Sequence, residues 1–500
     1  MPKIISIDAG TTGIRALAID AQTAEVEAVV YRELSVSYPN PGYVEQSADE
    51  ILTLTIQCLT EINEKLDETP LSVGITNQRE TIICWDKSTG KPLCPAIVWQ
   101  DRRTSEFCQN LKNQGYEDNI RQKTGLYIDP YFSASKINWL LNNSITATAN
   151  TVFGTVDSWL IWNLTGGVDQ GIFATEVSNA SRTQLFNLKT LEWDSELCDV
   201  FEVPVESLPT VLASNSKFGN IVLPNLNHFN GVTISGVLGD QQSALFGQQC
   251  FNHGDTKATL GTGCFILINA GQNYVNPPEG LLLTLAWSLA EGNQSHGNDR
   301  STYYALEGSV FSCASTINWA VDSVGLFSSP QEISQRADTV ADSNGVFLVP
   351  AFNGLGSPQW DPNARGTLIG MSRNTDRNHI ARAILESIVY QTADILEIAA
   401  HNDIKIGVLK VDGGVSKSNT LLKILSDYTQ IDLFRNQSSE STAIGAALMA
   451  GLGIEYYESL QAIQAIRRIG ETINPGQKID NIDQNLTLWK RAVERSLHWL

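Results

Sequence analysis

The stretch that decides the fold is IISIDAGTTGIRALAID, residues 4–20, in which two apolar runs are joined by AGTTG. Alternating apolar residues on both sides of a glycine-rich turn predict a β-hairpin, with Asp8 at the mouth of the turn and Arg15 just beyond it. Glycine lets backbone amides approach a ligand, and threonine adds hydroxyl donors, as in turns that bind phosphate. These residues alone fit a phosphate-binding turn and an ordinary hairpin turn equally well.

A second segment repeats the pattern, because TKATLGTGCFILINAG at 256–271 again has two apolar strands around a Gly-Thr-Gly turn. This recurrence predicts two similarly built lobes, 1–249 and 250–500, with their boundary near 249. If turns 11–13 and 261–263 face each other, they hold a triphosphate from opposite sides, while Asp8 orients magnesium through its water shell.

The C-terminal half continues with helices and strands in alternation. The segment 378–402 carries isoleucines on one helical face, which predicts a long amphipathic helix; they are Ile380, Ile384, Ile388, Ile395 and Ile398. The strand VLKVDGG follows, and Ser416 and Ser418 then precede SNTLLKILSDY, where a small polar residue can cap a new helix. This alternation is typical of α/β domains.

Composition narrows the class of function. The chain has 54 acidic and 34 basic residues and a net charge of −20, which disfavours nucleic acid and anionic membranes as partners. Eight cysteines lie far apart without a CxxC pair, as expected of reduced and mostly buried thiols, and six scattered histidines offer no zinc site. The N-terminus enters a strand at once, and STAIGAALMAGLGI is too short to span a bilayer, so we expect a cytoplasmic protein.

Several common nucleotide and hydrolase motifs are missing. GxxxxGK[ST], GxGxxG and GxSxG do not occur, which argues against a P-loop NTPase, a standard dinucleotide enzyme and an α/β-hydrolase. A bound phosphate therefore requires another architecture.

Three positions carry chemistry at the ends of predicted strands. Asp240 in GDQQSAL follows TISGVLG, where α/β folds present functional groups, although an aspartate there also caps helices. Arg79 and Glu80 in NQRET follow SVGIT and form either a grip for hydroxyl groups or a surface ion pair. Three aromatic residues near such motifs are ordinary core residues when taken singly; they are Trp99, Tyr131 and Phe265.

Taken together, the motifs carry a family resemblance. In order they are DAGTT, NQRET, AIVWQDRR, GLYIDPYFSASK, GTVDSWLIW, NASRTQLFN, GDQQSALFGQ, GTGCF, YALEGSVF, VPAFNGLGSPQWDPNARG and VDGGVS. The chain resembles the FGGY carbohydrate kinase family from residue 4 to about 450, and NQRET, DPYFSASK and GDQQSALFGQ resemble its glycerol kinases rather than its sugar kinases. The resemblance implies an α/β fold of two actin-like (ribonuclease H-like) lobes around a cleft. It also implies transfer of the γ-phosphoryl group of ATP to glycerol, with Mg²⁺, to give sn-glycerol 3-phosphate.

The resemblance further implies roles for individual residues. Glycerol should meet Arg79, Glu80, Tyr131, Asp240 and Gln241, with Trp99 and Phe265 as the apolar wall. The nucleotide phosphates should meet Thr11, Thr12, Gly13, Arg15 and Thr262, and the nucleoside should meet Ala314, Asn318, Gly414 and Ser418. Asp240 is then the general base, Arg15 stabilises the transferring phosphoryl group, and Asp8 and Asp240 hold Mg²⁺.

The sequence departs from the family at three residues and in two segments. Ala314, Asn318 and Ser418 stand where well-known bacterial members have Gly, Gln and Asn. The segment PNLNHFNGVT, 224–233, lacks the glycine-rich, arginine-containing loop through which some members bind fructose 1,6-bisphosphate, so that regulation is not expected. The segment 287–304 is longer and more polar than is usual, which predicts an extended surface loop.

Two rival functions are to be weighed. One is a kinase of the same family that acts on another polyol or a ketose, and the other is a catalytically silent actin-like protein that senses a nucleotide or polyol. Asp8, Arg15, Asp240 and Thr262 are all present, and a silent protein has no physical need of all four. Family members commonly self-associate, so a homo-oligomer is expected, although no feature of this sequence sets the number of subunits.

Overall fold

A computed structural model describes residues 2–290, 300–466, 469–476 and 482–500. The strands are β1 Lys3–Ala9, β2 Gly13–Asp20, β3 Val26–Glu33, β4 Glu45–Gln46, β5 Ser72–Asn77, β6 Ile83–Asp86, β7 Lys91–Pro92, β8 Ala96–Ile97, β9 Thr151–Gly154, β10 Ala174–Glu176, β11 Phe186–Asn187, β12 Glu192–Trp193, β13 Thr210–Leu212, β14 Ile234–Gly239, β15 Thr256–Leu260, β16 Cys264–Gly271, β17 Leu282–Ala290, β18 Arg300–Val310, β19 Phe347–Val349, β20 Thr367–Ile369, β21 Val408–Asp412, β22 Asp432–Asn436 and β23 Gly470–Ile473.

The helices surround these strands. They are α1 Ala48–Asn63, α2 Ser105–Asn113, α3 Glu117–Thr124, α4 Ser133–Asn143, α5 Val156–Leu164, α6 Val177–Ala180, α7 Ser195–Val200, α8 Asp240–Gly247, α9 Ala314–Asn318, α10 Pro330–Ala337, α11 Arg377–His401, α12 Asn419–Thr429, α13 Ser441–Gly453, α14 Leu460–Gln464 and α15 Ile482–Glu494. Short 3-10 helices occupy Val205–Ser207 and Gly414–Lys417, and a π-helical turn occupies Trp319–Ser323.

Two sheets repeat one topology, which confirms the prediction of similarly built lobes. The first has the order β14-β5-β1-β2-β3, and the second contains β18-β16-β15-β21-β22, extended by β17 and β23 at its edges. In the first sheet β1 is antiparallel to β2 and parallel to β5, and in the second sheet β15 is antiparallel to β16 and parallel to β21. Both predicted hairpins are therefore the central hairpins of their sheets.

The α8 and α13 helices cross at very close range. A Cβ atom on Gly445 of α13 would stand 1.8 Å from the Ser243 carbonyl oxygen of α8, and one on Gly247 would stand 2.0 Å from the Ser441 carbonyl oxygen. Only glycine permits this approach. α13 also packs on β14, β5 and β1 of the first sheet. A cut at the predicted boundary near 249 would thus separate α13 from the sheet that it covers.

We expect Gly445→Ala to destabilise the protein strongly, because the new methyl group would push α13 away from α8 and from the first sheet. Overpacking of this kind costs about 1–3 kcal/mol and occasionally more, and about 3 kcal/mol corresponds to a fall of about 6–12 °C in the thermal midpoint of a domain of this size. Differential scanning calorimetry measures the shift. Gly407→Ala is the control, since among the described residues no atom beyond its own chain neighbours lies within 4 Å of its Cβ position. Equal midpoints for the two variants would contradict this account of the helix crossing.

Other predictions are confirmed, and one is partly wrong. The amphipathic helix is α11, which buries Ile384, Ile388 and Ile395, and Ser418 is the N-cap of α12. Seven of the eight cysteines are buried, as predicted. The segment 287–304 is not loop throughout: residues 287–290 end β17 and residues 300–304 begin β18, because their backbones pair in an antiparallel ladder. The remainder of that predicted loop, 291–299, lies outside the described residues.

The apolar segment near the C-terminus is α13, a helix of 13 residues that is buried almost throughout. In the part of the chain that the structure describes, no helix combines the length and the hydrophobicity needed to cross a membrane.

Candidate active site

The strands β1, β5 and β14 run parallel and end at the same edge of the first sheet. Asp8 lies near the end of β1, Arg79 and Glu80 follow β5, and Asp240 follows β14. The carboxyl ends of neighbouring parallel strands bring the residues that follow them together. This edge therefore collects four of the charged residues that the sequence singled out.

The backbone at Glu80 turns sharply. Glu80 has φ +62°, and the Thr81 amide donates a 2.7 Å hydrogen bond to the Arg79 carbonyl, which closes a three-residue γ-turn. The Ser133 hydroxyl donates to the Glu80 carbonyl at 2.9 Å and so holds the turn from α4. A non-glycine residue in this conformation costs about 1–3 kcal/mol, and such strain concentrates at functional sites.

Arg79 and Glu80 belong to a buried network of four charges rather than to a surface ion pair. The Arg79 guanidinium contacts Glu307 through two parallel bonds, from Nη1 at 2.5 Å and from Nη2 at 3.0 Å. Arg182 donates from Nε to Glu80 at 2.6 Å and from Nη2 to Glu307 at 3.1 Å. All four side chains are at most 2% exposed. The reading of Arg79 and Glu80 as a surface pair is thus wrong: they are 3.9 Å apart, and each has a closer partner.

The pKa values in this network follow from burial and pairing. Burial opposes ionisation of Glu307, but Arg182 and Arg79 outweigh it and lower the pKa of Glu307 to about 2. Burial raises the pKa of Glu80, although Arg79 and Arg182 oppose the rise. Glu307 is therefore the firmly ionised carboxylate of the network.

Asp240 is the first residue of α8, and Gly239 is the N-cap, so the reading of Asp240 as a helix cap is wrong. Its Oδ1 accepts a 2.7 Å hydrogen bond from the Gln241 amide and lies 3.2 Å from Arg79 Nε. Both contacts use Oδ1, and the side chain is 30% exposed, so within the described part of the chain Oδ2 is left for a ligand. Burial raises the pKa of Asp240, while Arg79 and Lys257 oppose the rise.

Lys257 adds a buried positive charge from the second sheet. Its Nζ donates to Gln241 Oε1 at 2.5 Å and to Thr259 Oγ1 at 3.0 Å. Burial lowers the pKa of Lys257. Gln241, a predicted glycerol residue, is thereby held beside Asp240 by a lysine of β15.

Two of the three predicted aromatic residues contact each other beside the first glycine-threonine turn. Trp99 and Tyr131 meet edge to face with ring centres 5.6 Å apart, and the Trp99 indole donates to Thr11 Oγ1 at 2.9 Å. That bond joins the predicted glycerol wall to the first phosphate turn. Phe265 lies half-buried on β16, three residues beyond Thr262 in the second turn.

Lys136 fixes the loop that carries Tyr131. Its fully buried Nζ donates to the carbonyl oxygens of Pro130, Tyr131 and Phe132 at 2.7, 2.7 and 2.9 Å. The three ammonium protons thus match three consecutive carbonyls.

We expect Lys136→Met to raise the KM for the substrate that contacts Tyr131 by about 10- to 100-fold, because a shift of about 1 Å in a positioning group can cost about 10²-fold. The KM for nucleotide should stay near its original value. Lys410→Met is the matched control, since Lys410 Nζ likewise binds the carbonyls of Gln248 and Gln249, at 2.8 and 3.0 Å. Initial-rate kinetics decide, and an unchanged substrate KM in Lys136→Met would contradict the role of Lys136.

The two glycine-threonine turns have similar internal bonds. Gly10 donates to the Gly13 carbonyl at 3.0 Å, and Gly261 donates to the Gly263 carbonyl at 2.9 Å. At Gly13 a Cβ atom would lie 2.2 Å from the Tyr31 ring, so only glycine fits there. The side chains of Thr11 and Thr12 lie at the surface of the first turn, partly or fully exposed.

The second turn is tied to α9. The Thr262 carbonyl accepts from the Cys313 amide at 2.9 Å, and the Ala314 amide donates to the Gly261 carbonyl at 3.0 Å. Ala314 and Thr262, two predicted nucleotide residues, are therefore neighbours, and Asn318 lies at the other end of α9.

The other predicted nucleotide residues have partners within the protein. Arg15 forms a 2.8 Å ion pair with Glu440, which precedes α13. The Ser418 hydroxyl accepts from the Leu421 amide at 3.2 Å and lies 3.0 Å from Ser334 Oγ. Gly414, the last residue of VDGG, begins a 3-10 helix beside a cavity of about 420 Å³ that Asp412 and Arg435 help to line.

Asp8 offers a place for a cation. Its pKa is raised to about 7, mainly by burial and also by the nearby carboxylates of Asp240 and Glu440, against the effect of Arg15. Among the described residues no three His, Cys, Asp or Glu side chains form a metal cage. Mg²⁺ typically binds one or two carboxylates and completes its octahedron with water and phosphate oxygens, which Asp8 and Asp240 fit.

Sequence reasoning missed Arg182, Glu307, Lys257, Lys136 and Glu440. Glu307 and Lys257 each stand inside an apolar strand, in YALEGSV and TKATL. A charged residue at such a position is rarely buried without a partner, so the pattern was a usable signal, but the partner's identity was not readable from it.

Comparison with known proteins bears on the whole chain. Residues 3–247 match the family model described as "FGGY family of carbohydrate kinases, N-terminal domain", and residues 256–454 match the C-terminal domain of the same family. The chain is 43% identical to the glycerol kinase of Halothermothrix orenii, with 99% of this chain and 98% of that protein covered. It is 44% identical to the glycerol kinase of Pseudothermotoga lettingae, with 99% of each covered.

Solved structures agree. The crystal structure of Plasmodium falciparum glycerol kinase with ADP has a TM-score of 0.91 and 34% identity to this chain, and covers 99% of this chain and 98% of that one. A xylulose kinase from Lactobacillus acidophilus has a TM-score of 0.86 at 21% identity, with 99% and 97% covered, a likeness in fold alone. The predicted actin-like α/β fold is confirmed.

Proposed function

The chain belongs to the FGGY family of carbohydrate kinases, and on this premise we propose that it is a glycerol kinase. The reaction transfers the γ-phosphoryl group of ATP to glycerol and yields ADP and sn-glycerol 3-phosphate. The observation that carries the proposal is the position of Asp240: its Oδ1 lies 3.2 Å from the buried Arg79, which Glu307 fixes, and its side chain is 30% exposed. The relatives named glycerol kinase, similar over nearly the full chain, support the choice of substrate.

Glycerol binding follows from the polar and apolar sides of this pocket. Arg79 and Glu80 supply donors and an acceptor for hydroxyl groups, and the Gln241 amide group adds to them. Trp99, Tyr131 and Phe265 face the carbon chain. A triol has a polar group on every carbon, so a pocket with one apolar wall and fixed hydrogen-bonding groups can orient one terminal hydroxyl toward Asp240.

Asp240 acts as the general base in this mechanism. It accepts the proton of the attacking hydroxyl through Oδ2, while Oδ1 stays with the Gln241 amide and Arg79. A raised pKa makes the carboxylate a stronger base, and burial raises the pKa of Asp240 against the opposing charges of Arg79 and Lys257.

The phosphate side of the site is built from the two turns. The hydroxyls and amides of Thr11, Thr12, Gly13 and Thr262 donate to phosphate oxygens, and Arg15 offsets the charge that spreads over the transferring phosphoryl group. Ala314, Asn318, Gly414 and Ser418 border the nucleoside. Because Ser418 already caps α12, its hydroxyl has little capacity left for a base or ribose.

Asp8 and Asp240 would hold Mg²⁺ in the complex with ATP. When bound, the ion supplies charge neutralisation between the phosphate oxygens. Asp8 must then be ionised, which the positive charge of Arg15 favours.

Three further expectations belong to the same proposal. A cytoplasmic location agrees with the seven buried thiols, which stay reduced there. Self-association is expected only because members of the family commonly self-associate. Lobes of 1–249 and 250–500 agree with the two repeated sheets, apart from the return of α13 to the first one.

A substrate panel tests the proposed function. ADP release from Mg-ATP is measured with glycerol, with no acceptor, and with xylulose, gluconate and other polyols or ketoses. We expect release with glycerol and little release without an acceptor, because closure of the cleft around both substrates excludes water. Faster ADP release with another polyol or ketose would identify that compound, rather than glycerol, as the substrate. Equal ADP release with and without an acceptor would refute the kinase assignment.

A further inference from the structure

Glu307 joins the two halves of the molecule at the glycerol pocket. It lies on β18 of the second sheet, whereas its partners Arg79 and Arg182 come from the first half of the chain. Its carboxylate is completely buried, and Ser309 Oγ adds a longer hydrogen bond at 3.3 Å. No role assigned so far to substrate, nucleotide or metal uses this carboxylate.

The geometry of the Arg79 guanidinium explains what Glu307 does. A guanidinium has two edges, and the edge formed by Nη1 and Nη2 is occupied by both oxygens of Glu307. Nη1 also meets Gln242 Oε1 at 3.2 Å. These bonds leave Nε to face Asp240 at 3.2 Å. Without Glu307, the guanidinium could rotate about its stem and present its Nη edge to Asp240 instead.

Arg182 connects Glu307 to Glu80 by hydrogen bonds. It is fully buried, bonded to Glu80 and Glu307 at once, and its guanidinium lies 5.7 Å from the centre of the Tyr131 ring. The two arginines and two glutamates balance in charge, which is the condition under which buried ions are tolerated. One carboxylate therefore orients three of the predicted glycerol contacts, Arg79 directly and Glu80 and Tyr131 through Arg182.

We propose that Glu307 is a positioning residue for the polyol substrate: it does not touch the substrate but fixes Arg79, and through Arg182 also Glu80, in the orientation that binds it. This inference rests on the proposed function for the identity of the polyol. It predicts that loss of the Glu307 charge weakens polyol binding while nucleotide binding is kept.

Glu307→Gln tests the proposal, because glutamine keeps the shape and one acceptor oxygen but loses the charge and one of the two parallel bonds. We expect the KM for glycerol to rise and kcat/KM for glycerol to fall by about 10- to 100-fold, as for other displaced positioning groups, with the KM for ATP within about 2-fold of its original value. Calorimetric glycerol binding should weaken in parallel. Glu386→Gln is the matched control: Glu386 is 1% exposed and paired with Arg382 in α11, far along the chain.

Arg182→Lys covers the case in which Glu307→Gln does not fold. Lysine keeps the charge but lacks the planar fork that bridges Glu80 and Glu307, so the same selective rise in the glycerol KM is expected. A folded variant of either kind with an unchanged glycerol KM, or with equal rises for glycerol and ATP, would overturn the positioning role. If the panel shows another preferred polyol, the proposed function fails, and the same comparison on that polyol still decides for or against Glu307.

Discussion

Asp240→Asn is expected to fold normally and to have a kcat about 10²–10⁴-fold lower than the original protein, because a general base usually contributes a factor of this size. Asparagine has the shape of aspartate and can still accept the Gln241 amide bond that Oδ1 now accepts at 2.7 Å. It cannot take a proton from the attacking hydroxyl. Steady-state kinetics with glycerol and Mg-ATP measure the loss, and nearly full turnover would refute Asp240 as the base.

The matched control for this variant is Asp394→Asn. Asp394 likewise has a raised pKa, but it is buried in α11 and accepts a 2.7 Å hydrogen bond from the Trp489 indole. Its substitution should change stability and leave kcat near its original value.

In the original protein kcat should fall as the pH drops, beginning above the ordinary pKa of an aspartate, because burial raises the pKa of Asp240.

Arg79→Ala is expected to produce the second large effect, a rise of about 10²-fold or more in the KM for glycerol, with a smaller change in kcat. A side chain that grips hydroxyl groups acts on the ground state and the transition state alike, so its loss appears mainly in KM. The variant should also be less stable, since removing one partner from a buried ion network costs about 3–5 kcal/mol.

Arg103→Ala separates these two effects. Arg103 is likewise 2% exposed and pairs with Asp101 and Glu45, and its guanidinium lies 3.9 Å from the centre of the Tyr43 ring. It should lower the thermal midpoint without raising the glycerol KM to a similar extent. Equal glycerol KM values for Arg79→Ala and the original protein would contradict the pocket described above.

Much of the fold could be predicted because it depends on local patterns. The hairpins at 4–20 and 256–271 are specified by alternating apolar residues and by glycine-threonine turns, and both became central hairpins. The crossing of α8 and α13 could not be predicted in the same way. It depends on Gly247 and Gly445, which are distant in sequence and show nothing locally about the surface they meet.

The site was predictable where a residue follows a strand and unpredictable where a partner comes from elsewhere. Arg79, Glu80 and Asp240 follow β5 and β14, so their strand-end position was readable. Glu307 lies 228 residues from Arg79, and no local pattern connects the two. The left-handed conformation of Glu80 could not be predicted either, because a glutamate in the sequence does not indicate a positive φ.

The nucleotide end shows the limit of transferring roles from a family. Arg15 was predicted to stabilise phosphate. In the structure its guanidinium pairs with Glu440, so a nucleotide phosphate would have to share the guanidinium with this carboxylate or displace it. Ser418 has the helix-capping role that its sequence predicted, and its contact with nucleotide stays a prediction.

The most direct test of the central claim is to follow the phosphorus of ATP by ³¹P NMR during a complete reaction with glycerol and Mg²⁺. We expect one phosphomonoester of glycerol, esterified at a primary carbon, for each ADP formed. Inorganic phosphate as the product, or ADP formation without consumption of glycerol, would contradict it.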